Sequence, residues 1–421
     1  MMMTGQAHGQ DAQLQTLAQL LLELRPLWDQ RPFRERPAPW EAHMPEVSAW
    51  LRDLDATQID ALEADPYGGP AMPGALAAVR DAATAASNLP VWTATEAVHH
   101  APMRRVKARK QSQISAFQRV VGGSLRRAAP RRIVDWCGGK GHLSRALGMA
   151  CGCGVCVVDQ QAALVLEAEQ LGKADGLAVH GVAADVTTLT AARDGAQVAE
   201  VFDALHGDTA LVGLHACGLL TDAAVDAAIT HELPWLALVP CCHHRVPAGG
   251  WRPMSAALAR TGLHLNVNGL RLAIADEGPA TPPVRARRRK EMCLRIVVDL
   301  LVAERGTKGM PEDGTAKSPA PLGVIRRAAY GLDFGDFCRQ TLAPRGIVLP
   351  DTWDAAAHLT RAADTTRIVR ALSLVRGQLR RAVEVLCVLD RAQALREAGW
   401  RAEVGTFCDR TITPRNLLLV A

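Results

Sequence analysis

The stretch Ile133-Val-Asp-Trp-Cys-Gly-Gly-Lys-Gly-His-Leu-Ser-Arg-Ala-Leu147 constrains this chain more than any other. An apolar, strand-like run breaks into a glycine-rich turn and restarts as an amphipathic helix. Gly138, Gly139 and Gly141 carry no Cβ and tolerate positive φ, so the backbone there can approach a ligand closely while N–H groups at the helix start face it. Such a turn alone is a weak signal. Val155-Cys-Val-Val-Asp159 strengthens it, because a second apolar run ends in a carboxylate about 20 residues after the glycines, the spacing at which an acidic side chain takes ribose hydroxyls.

From 133 to 242 the pattern alternates. Strands are expected at 133–137, 155–159, 178–183, 209–215 and 235–240, with helices near 142–150, 160–171 and 219–231 between them. Alternation of this kind reads as a parallel sheet with right-handed crossovers. A helix over about 366–398 and two strands, Arg401 to Phe407 and Asn416 to Val420, end the chain. Seven strands with an antiparallel finish predict an α/β fold with a Rossmann-like, methyltransferase-type sheet rather than a dinucleotide dehydrogenase, whose sheet usually stops at six parallel strands.

The remainder divides by composition. Residues 1–100 read as a helical accessory domain: Leu14, Leu17, Leu20, Leu21 and Leu24 recur at helical spacing, prolines 32, 37, 39 and 45 form a connector, and helices follow at 46–64 and 75–87. Residues 101–245 make the core. Residues 246–365 read as a long insertion after strand five, basic, rich in Gly and Pro and only partly ordered, with a flexible loop at 305–321. Residues 366–421 complete the core.

No apolar run reaches the roughly 20 residues that span a bilayer. The N-terminus lacks a basic segment leading into an apolar signal core, which places the protein in the cytoplasm. The 11 cysteines are therefore expected to be reduced, and Cys151-Gly-Cys-Gly-Val-Cys156 is read as small side chains leading into the second strand, with no partner ligands at zinc-finger spacing. The net charge of +5 is unevenly spread. Residues 1–100 hold 6 basic and 13 acidic side chains, residues 101–132 hold 10 basic and none acidic, and residues 281–381 hold 19 basic against 10 acidic, including Arg285-Ala-Arg-Arg-Arg-Lys290. This asymmetry points to a polyanion partner, since neutralising phosphates releases counterions. A GC-rich coding bias toward arginine would give a similar composition with no such partner.

Ligands of an open α/β sheet sit beyond the carboxyl ends of its strands. At the first strand end, Asp135 and the glycines offer an acceptor for an ammonium and N–H donors for a carboxylate, the two ends of an amino acid. Asp159 stands at the second. At the third, Asp185 either accepts from an adenine amino group or caps a helix starting at Val186. His215-Ala-Cys-Gly218 follows the fourth, with His215 assigned to the cofactor side and Cys217 to the acceptor side. Pro240-Cys-Cys-His-His-Arg245 follows the fifth. Two adjacent cysteines and two adjacent histidines invite a zinc site, but consecutive side chains on an extended segment point in opposite directions, so no metal is expected. Instead Cys241, Cys242 and Arg245 are expected to wall an acceptor pocket. His243 and His244 either orient an acceptor hydroxyl or amine and take its proton, or act as hydrogen-bonded supports.

The runs DWCGGKGHLSRAL, LHACGLLTDAAV, VPCCHHR and TPRNLLLVA, in this order, resemble a branch of the class I S-adenosylmethionine-dependent methyltransferases. Similar motifs occur in the methyltransferase domain of glutathione S-transferase C-terminal domain-containing proteins and in the eukaryotic tRNA ribose 2′-O-methyltransferases that modify the acceptor stem. The resemblance covers about 105–245 and 380–421 and implies S-adenosyl-L-methionine as cofactor. By position it makes Asp135, Gly138, Gly139 and Gly141 the cofactor loop, Asp159 the ribose acid and Asp185 the adenine-side acid. It makes Cys217 with Gly218 the fourth-strand motif and Cys241, Cys242 and His243 the fifth, with His243-His244-Arg245 closest to the tRNA branch. The zinc-finger modules of that branch are absent from the sequence, and no Asp/Asn-Pro-Pro-aromatic motif marks an exocyclic-amine acceptor. Structured RNA is the expected substrate. The rival readings are a protein or small-molecule methyltransferase and a non-catalytic RNA-binding or scaffold protein.

Overall fold

A computed structural model describes residues 6–33, 35–66, 70–93, 106–188, 200–201, 203–205, 207–247, 249–275, 280–305, 325, 327–350 and 352–421. Arg104 and Arg105, which open the basic segment, and most of the loop expected at 305–321 lie outside them. Among the described residues no helix is long and apolar enough to cross a membrane.

All seven expected strands form: β1 (Arg132–Trp136), β2 (Gly154–Asp159), β3 (Val179–Ala183), β4 (Thr209–Cys217), β5 (Trp235–Cys241), β6 (Glu403–Thr406) and β7 (Leu417–Val420). They build one sheet in the order β3-β2-β1-β4-β5-β7-β6. The first five are parallel, β7 runs antiparallel to β5, and β6 runs antiparallel to β7. The strands are apolar on both faces because helices cover both. This is the Rossmann-like methyltransferase sheet that the strand count predicts. Strand order reverses between β1 and β4, where an α/β sheet opens a crevice for ligands.

The chain gathers into two compact units, one of residues 1–29, 78–279 and 377–421, the other of 30–77 and 280–376. The division expected at 100, 245 and 365 differs from this packing. In the first unit, helix α1 (Gln6–Glu23) buries Leu14, Leu17 and Leu21, and its Gln10 side chain pairs with both backbone groups of Val404 at 2.7 and 3.0 Å. That bond pair, with Trp92 N donating to Thr406 O, occupies the edge of β6 that would otherwise be open. The first helix of the expected accessory domain is thus part of the sheet unit. Helices α2 (Ala108–Ala128), α3 (His142–Cys151), α4 (Ala162–Ala174), α5 (Leu219–Thr230) and α6 (Arg380–Glu397) belong to this unit. Ile114, Phe117, Val121 and Leu125 on α2 share one core with Leu143 and Leu147 on α3 and with Ile133, Val212, Val239 and Leu418 of the sheet. Each such side chain contributes roughly 1.5–3 kcal/mol by its burial.

In the second unit much of the described part of the expected irregular insertion is helical. Pro282–Arg305, Phe334–Leu342 and Ala355–Gly377 are helices, and Leu294, Val297, Val298 and Leu301 form a buried stripe at helical spacing behind the arginine run. The single helix expected at 366–398 is two, broken at Gln378 and Leu379 after Gly377.

Candidate functional site

Beyond the carboxyl ends of β1 to β5 lies a cleft of about 230 Å³, lined by Cys137, Asp159, Gln160, Gln161, Ala184, Asp185, Val186, Thr187, Cys217, Leu219, Leu220 and Arg245. Of the residues singled out in the sequence, Asp159, Asp185, Cys217 and Arg245 line it. Asp135, Gly138, Gly139, Gly141, His215, Cys241, Cys242, His243 and His244 do not, and their roles follow from what each one holds.

The glycine turn is built as expected. Cys137, Gly139 and Gly141 all adopt positive φ, at 58°, 58° and 63°. A Cβ on Gly138 would lie 2.5 Å from the Asp135 carboxyl carbon, and one on Gly141 would lie 2.8 Å from Val157, so both glycines exist for close approach within the protein. A Cβ on Gly139 would make only ordinary contacts, 3.9 Å from Leu164 and 4.0 Å from Asp159 Oδ2. Gly139 is therefore the one of the three glycines that close approach within the protein does not require.

Asp135 corrects the role expected of it. Its carboxylate is 2 % exposed beneath the turn and accepts from Ser144 N at 3.2 Å, fixing the first turn of α3. Burial raises its pKa to about 6, against the opposing effects of the Ser144 bond and of Lys110. It positions the loop rather than facing the cleft. Asp159 does face it. Its Oδ2 accepts from Gly139 N at 3.1 Å and its Oδ1 from Gln161 N at 2.9 Å. Each oxygen keeps a lone pair for hydroxyl donors. Asp185 Oδ1 accepts from both Thr187 N and Thr187 Oγ1, at 3.0 and 2.7 Å, so the capping and cleft-lining readings hold together.

The other half of the site depends on departures from regular strand geometry. His215 sits at φ 73° where β4 loses register with β5: Leu214 pairs with Val239, but Ala216 pairs with Pro240 and Cys217 with Cys241. This one-residue bulge brings Cys217 opposite Cys241. The His215 ring meets Gln113 Oε1 at 3.2 Å, and burial, ahead of Lys110, lowers its pKa to about 4. His215 thus shapes β4 and does not line the cleft. After β4, Gly218 N donates to Cys241 O at 2.8 Å and Leu219 N to Arg245 O at 3.0 Å, and Arg245 N donates to Cys242 O at 2.9 Å. These bonds lace the two strand ends into one frame.

Cys242 has φ 47°, so the segment after β5 is not extended and the premise used to separate its side chains fails there. The sulfurs of Cys217, Cys241 and Cys242 lie within 4.8 Å of one another, with Cys217 and Cys241 3.1 Å apart. Hydrogen bonds with Cys217 and then Cys241 hold the Cys242 thiol down, while those with Cys217 and then Cys242 push Cys241 up. Among the described residues, Cys151, Cys153 and Cys156 form no such cluster with another donor.

His243 is not placed as a proton acceptor. It is 2 % exposed, neither ring nitrogen has a hydrogen-bond partner, and burial, followed by nearby Arg391, lowers its pKa to about 3. Arg391 is itself buried and pairs with Asp222 at 2.6 Å. A base that weak contributes little at neutral pH. His244 is half-buried, beside Cys242 and Arg271, with burial lowering its pKa.

Several residues of the site carried no sequence signal. Cys137, Gln160, Gln161, Thr187, Leu219 and Leu220 line the cleft only because they directly follow strand ends. Lys110, on α2, is partly buried near Asp135 and Cys241, and its pKa is lowered by that burial. The basic segment is divided by its own helix. Exposed Lys107 and Arg109 start α2 at the cleft end, where Arg109 Nε donates to Ile412 O at 2.8 Å. Exposed Arg126, Arg127, Arg131 and Arg132 lie about 30 Å further along, where β1 begins and the cleft is absent.

Residues 109–249 match a family model described as a methyltransferase domain, and this span, from the start of α2 through the turn after β5, contains every residue that lines the cleft, so this part of the chain is similar to methyltransferases.

Proposed function

We propose that this protein transfers a methyl group from S-adenosylmethionine to a nucleophile on structured RNA, as in the tRNA-modifying branch its motifs resemble. The observation that carries the methyl-donor reading is the pairing of Gly139 N with Asp159 at the cleft edge within the methyltransferase-like span. The residues suit this cofactor: Asp159 offers acceptor lone pairs to ribose hydroxyls, Asp185 a carboxylate beside Thr187, and Val186, Leu219 and Leu220 apolar walls for a base. When bound, S-adenosylmethionine supplies an electrophilic methyl on a sulfonium. The protein's part is positioning, because in-line displacement depends on holding acceptor and methyl in register. Cys217 and Arg245 form the wall on the acceptor side, with His244 directly before Arg245 in the chain.

The RNA reading is supported by where basic side chains gather. Lys107, Arg109 and Lys110 begin α2, Arg245 follows β5, and Arg415 lies in the β6–β7 connection, all at the sheet end that holds the cleft. Cations there would fix a phosphate backbone while the acceptor atom enters the cleft. In the second unit, Arg287, Arg288 and Lys290 are exposed on their helix, Arg287 beside Glu291 at 3.6 Å, and Arg289 pairs with Asp60 at 3.1 Å.

The test is transfer of radiolabelled methyl from S-adenosylmethionine into extract from a strain lacking this protein, followed by RNase or protease. RNase-sensitive label, lost in Asp159→Ala, is the expected result. Protease-sensitive label would replace RNA with a protein acceptor, and no label despite cofactor binding would favour a non-catalytic role.

A further inference from the structure

We propose that Cys217, Cys241 and Cys242 form a three-thiolate site for Zn²⁺ at the ends of β4 and β5. The site follows from two backbone departures acting together. The bulge at His215 puts Cys217 in register with Cys241, and the left-handed turn at Cys242 folds the next sulfur back toward the same point. Without the bulge, Ala216 would stand opposite Cys241 and Cys217 would project to the other face. Without the turn, Cys242 would point away from Cys241.

Dimensions agree with a tetrahedral ion. Zn–S bonds of about 2.3 Å at tetrahedral angles set sulfurs about 3.8 Å apart. The three sulfurs here stand between 3.1 Å, for Cys217 and Cys241, and 4.8 Å. Closing them onto an ion asks for shifts of well under 1 Å.

The frame around them is already fixed. Gly218 N bonds Cys241 O, Arg245 N bonds Cys242 O, and Thr221 Oγ1 bonds Ala216 O at 2.8 Å. Gly218 has no room for a Cβ, which would lie 2.2 Å from Arg245 O. Preorganised thiols of this kind favour a soft or borderline cation over Mg²⁺ or Ca²⁺. The three sulfurs alone lie within 4.8 Å of one another, so a fourth donor must move in or be water; His244, two residues past Cys242 and with a buried Nδ1 that has no hydrogen-bond partner among the described residues, is a nearby candidate in the chain. Because Cys217 also lines the cleft, the ion would lie behind one cleft wall and hold β4 to β5 there. The inference is independent of the methyl-transfer reading, since its readout is metal binding.

The experiment uses the full chain, reduced, stripped with chelator and kept anaerobic. Added Zn²⁺ should bind at one equivalent and protect three of the 11 thiols from iodoacetamide, mapping by mass spectrometry to Cys217, Cys241 and Cys242. Co²⁺ in its place should give a thiolate-to-metal charge-transfer band and a tetrahedral d–d spectrum. Cys217→Ser with Cys242→Ser should abolish both signals, whereas Cys151→Ser with Cys153→Ser should leave them unchanged. His244→Ala should weaken affinity at least tenfold, and unchanged affinity would remove His244 from the fourth vertex. Stoichiometry near zero, protection of other thiols, or a Cys217–Cys241 disulfide that forms in preference to metal binding would overturn the site.

Discussion

The two halves of the strand-end site reach their geometry by different means. On the β1–β2 side, two of the three left-handed positions, Gly139 and Gly141, fall on glycines and the third on Cys137, and Asp159 receives the turn with ordinary hydrogen bonds. On the β4–β5 side, left-handed backbone falls on His215 and Cys242, where a side chain costs roughly 1–2 kcal/mol per residue, and the frame of bonds among Gly218, Leu219, Cys242 and Arg245 retains it. The first half is prepared for a ligand to lie on bare backbone. The second converges side chains, and it is there that sulfur atoms gather.

The sharpest way to break this comparison is to add one methyl group to each half. Gly218 lies at φ 52°, ψ −115°, a region open only to glycine, and a Cβ would collide with Arg245 O at 2.2 Å. Gly218→Ala should lose about 4 kcal/mol in urea unfolding and unlace the β4–β5 frame. Gly139→Ala, with nothing nearer than 3.9 Å, should lose only about 1 kcal/mol while disturbing the cleft floor. Equal losses would show that the two halves are held alike.

A pH titration sharpens the first half. Asp135 is raised from 3.8 to about 6 by burial, so the folded state holds this proton more tightly than the unfolded one. Its ionisation costs nothing below about pH 4, and the cost grows to about 3 kcal/mol as pH rises through 6. Asp135→Asn should therefore gain stability relative to wild type between pH 4 and 7.5. A difference that stays flat with pH would show that the carboxylate ionises without penalty.

Smaller effects belong to the rim. Lys107→Glu and Arg109→Glu should each reduce the salt slope of RNA binding by about 1, whereas Arg126→Glu and Arg127→Glu, at the far end of α2, should leave it unchanged. Equal effects from both pairs would move the RNA path away from the cleft.

The legibility of the sequence follows the same division. Strands announced themselves through apolar runs that stop at Gly, Asp or Pro, and the β1–β2 half was readable because glycine is both the signal and the structural solution. Nothing in His215 or Cys242 marks positive φ, since an L-residue adopts it only when its neighbours compel it. The cysteines converge because the chain leaves extended geometry at Cys242, directly after β5. Asp135 and His243 were legible as strand-end residues, but whether a side chain faces the cleft or the protein interior depends on packing from α3 and α6, which lie far apart in sequence. The helix Pro282–Arg305 was hidden by its arginines, although the buried stripe from Leu294 to Leu301 carried the correct period.

Isothermal titration of S-adenosylmethionine into the full chain and into Asp159→Ala asks whether the Gly139–Asp159 edge of the cleft receives that compound. One site is expected in the wild type, with affinity lowered by roughly tenfold to a hundredfold in the variant, the loss of about 1.5–3 kcal/mol expected when charge-assisted hydrogen bonds are removed. No binding to the folded wild type, or identical affinity in both proteins, would contradict that assignment.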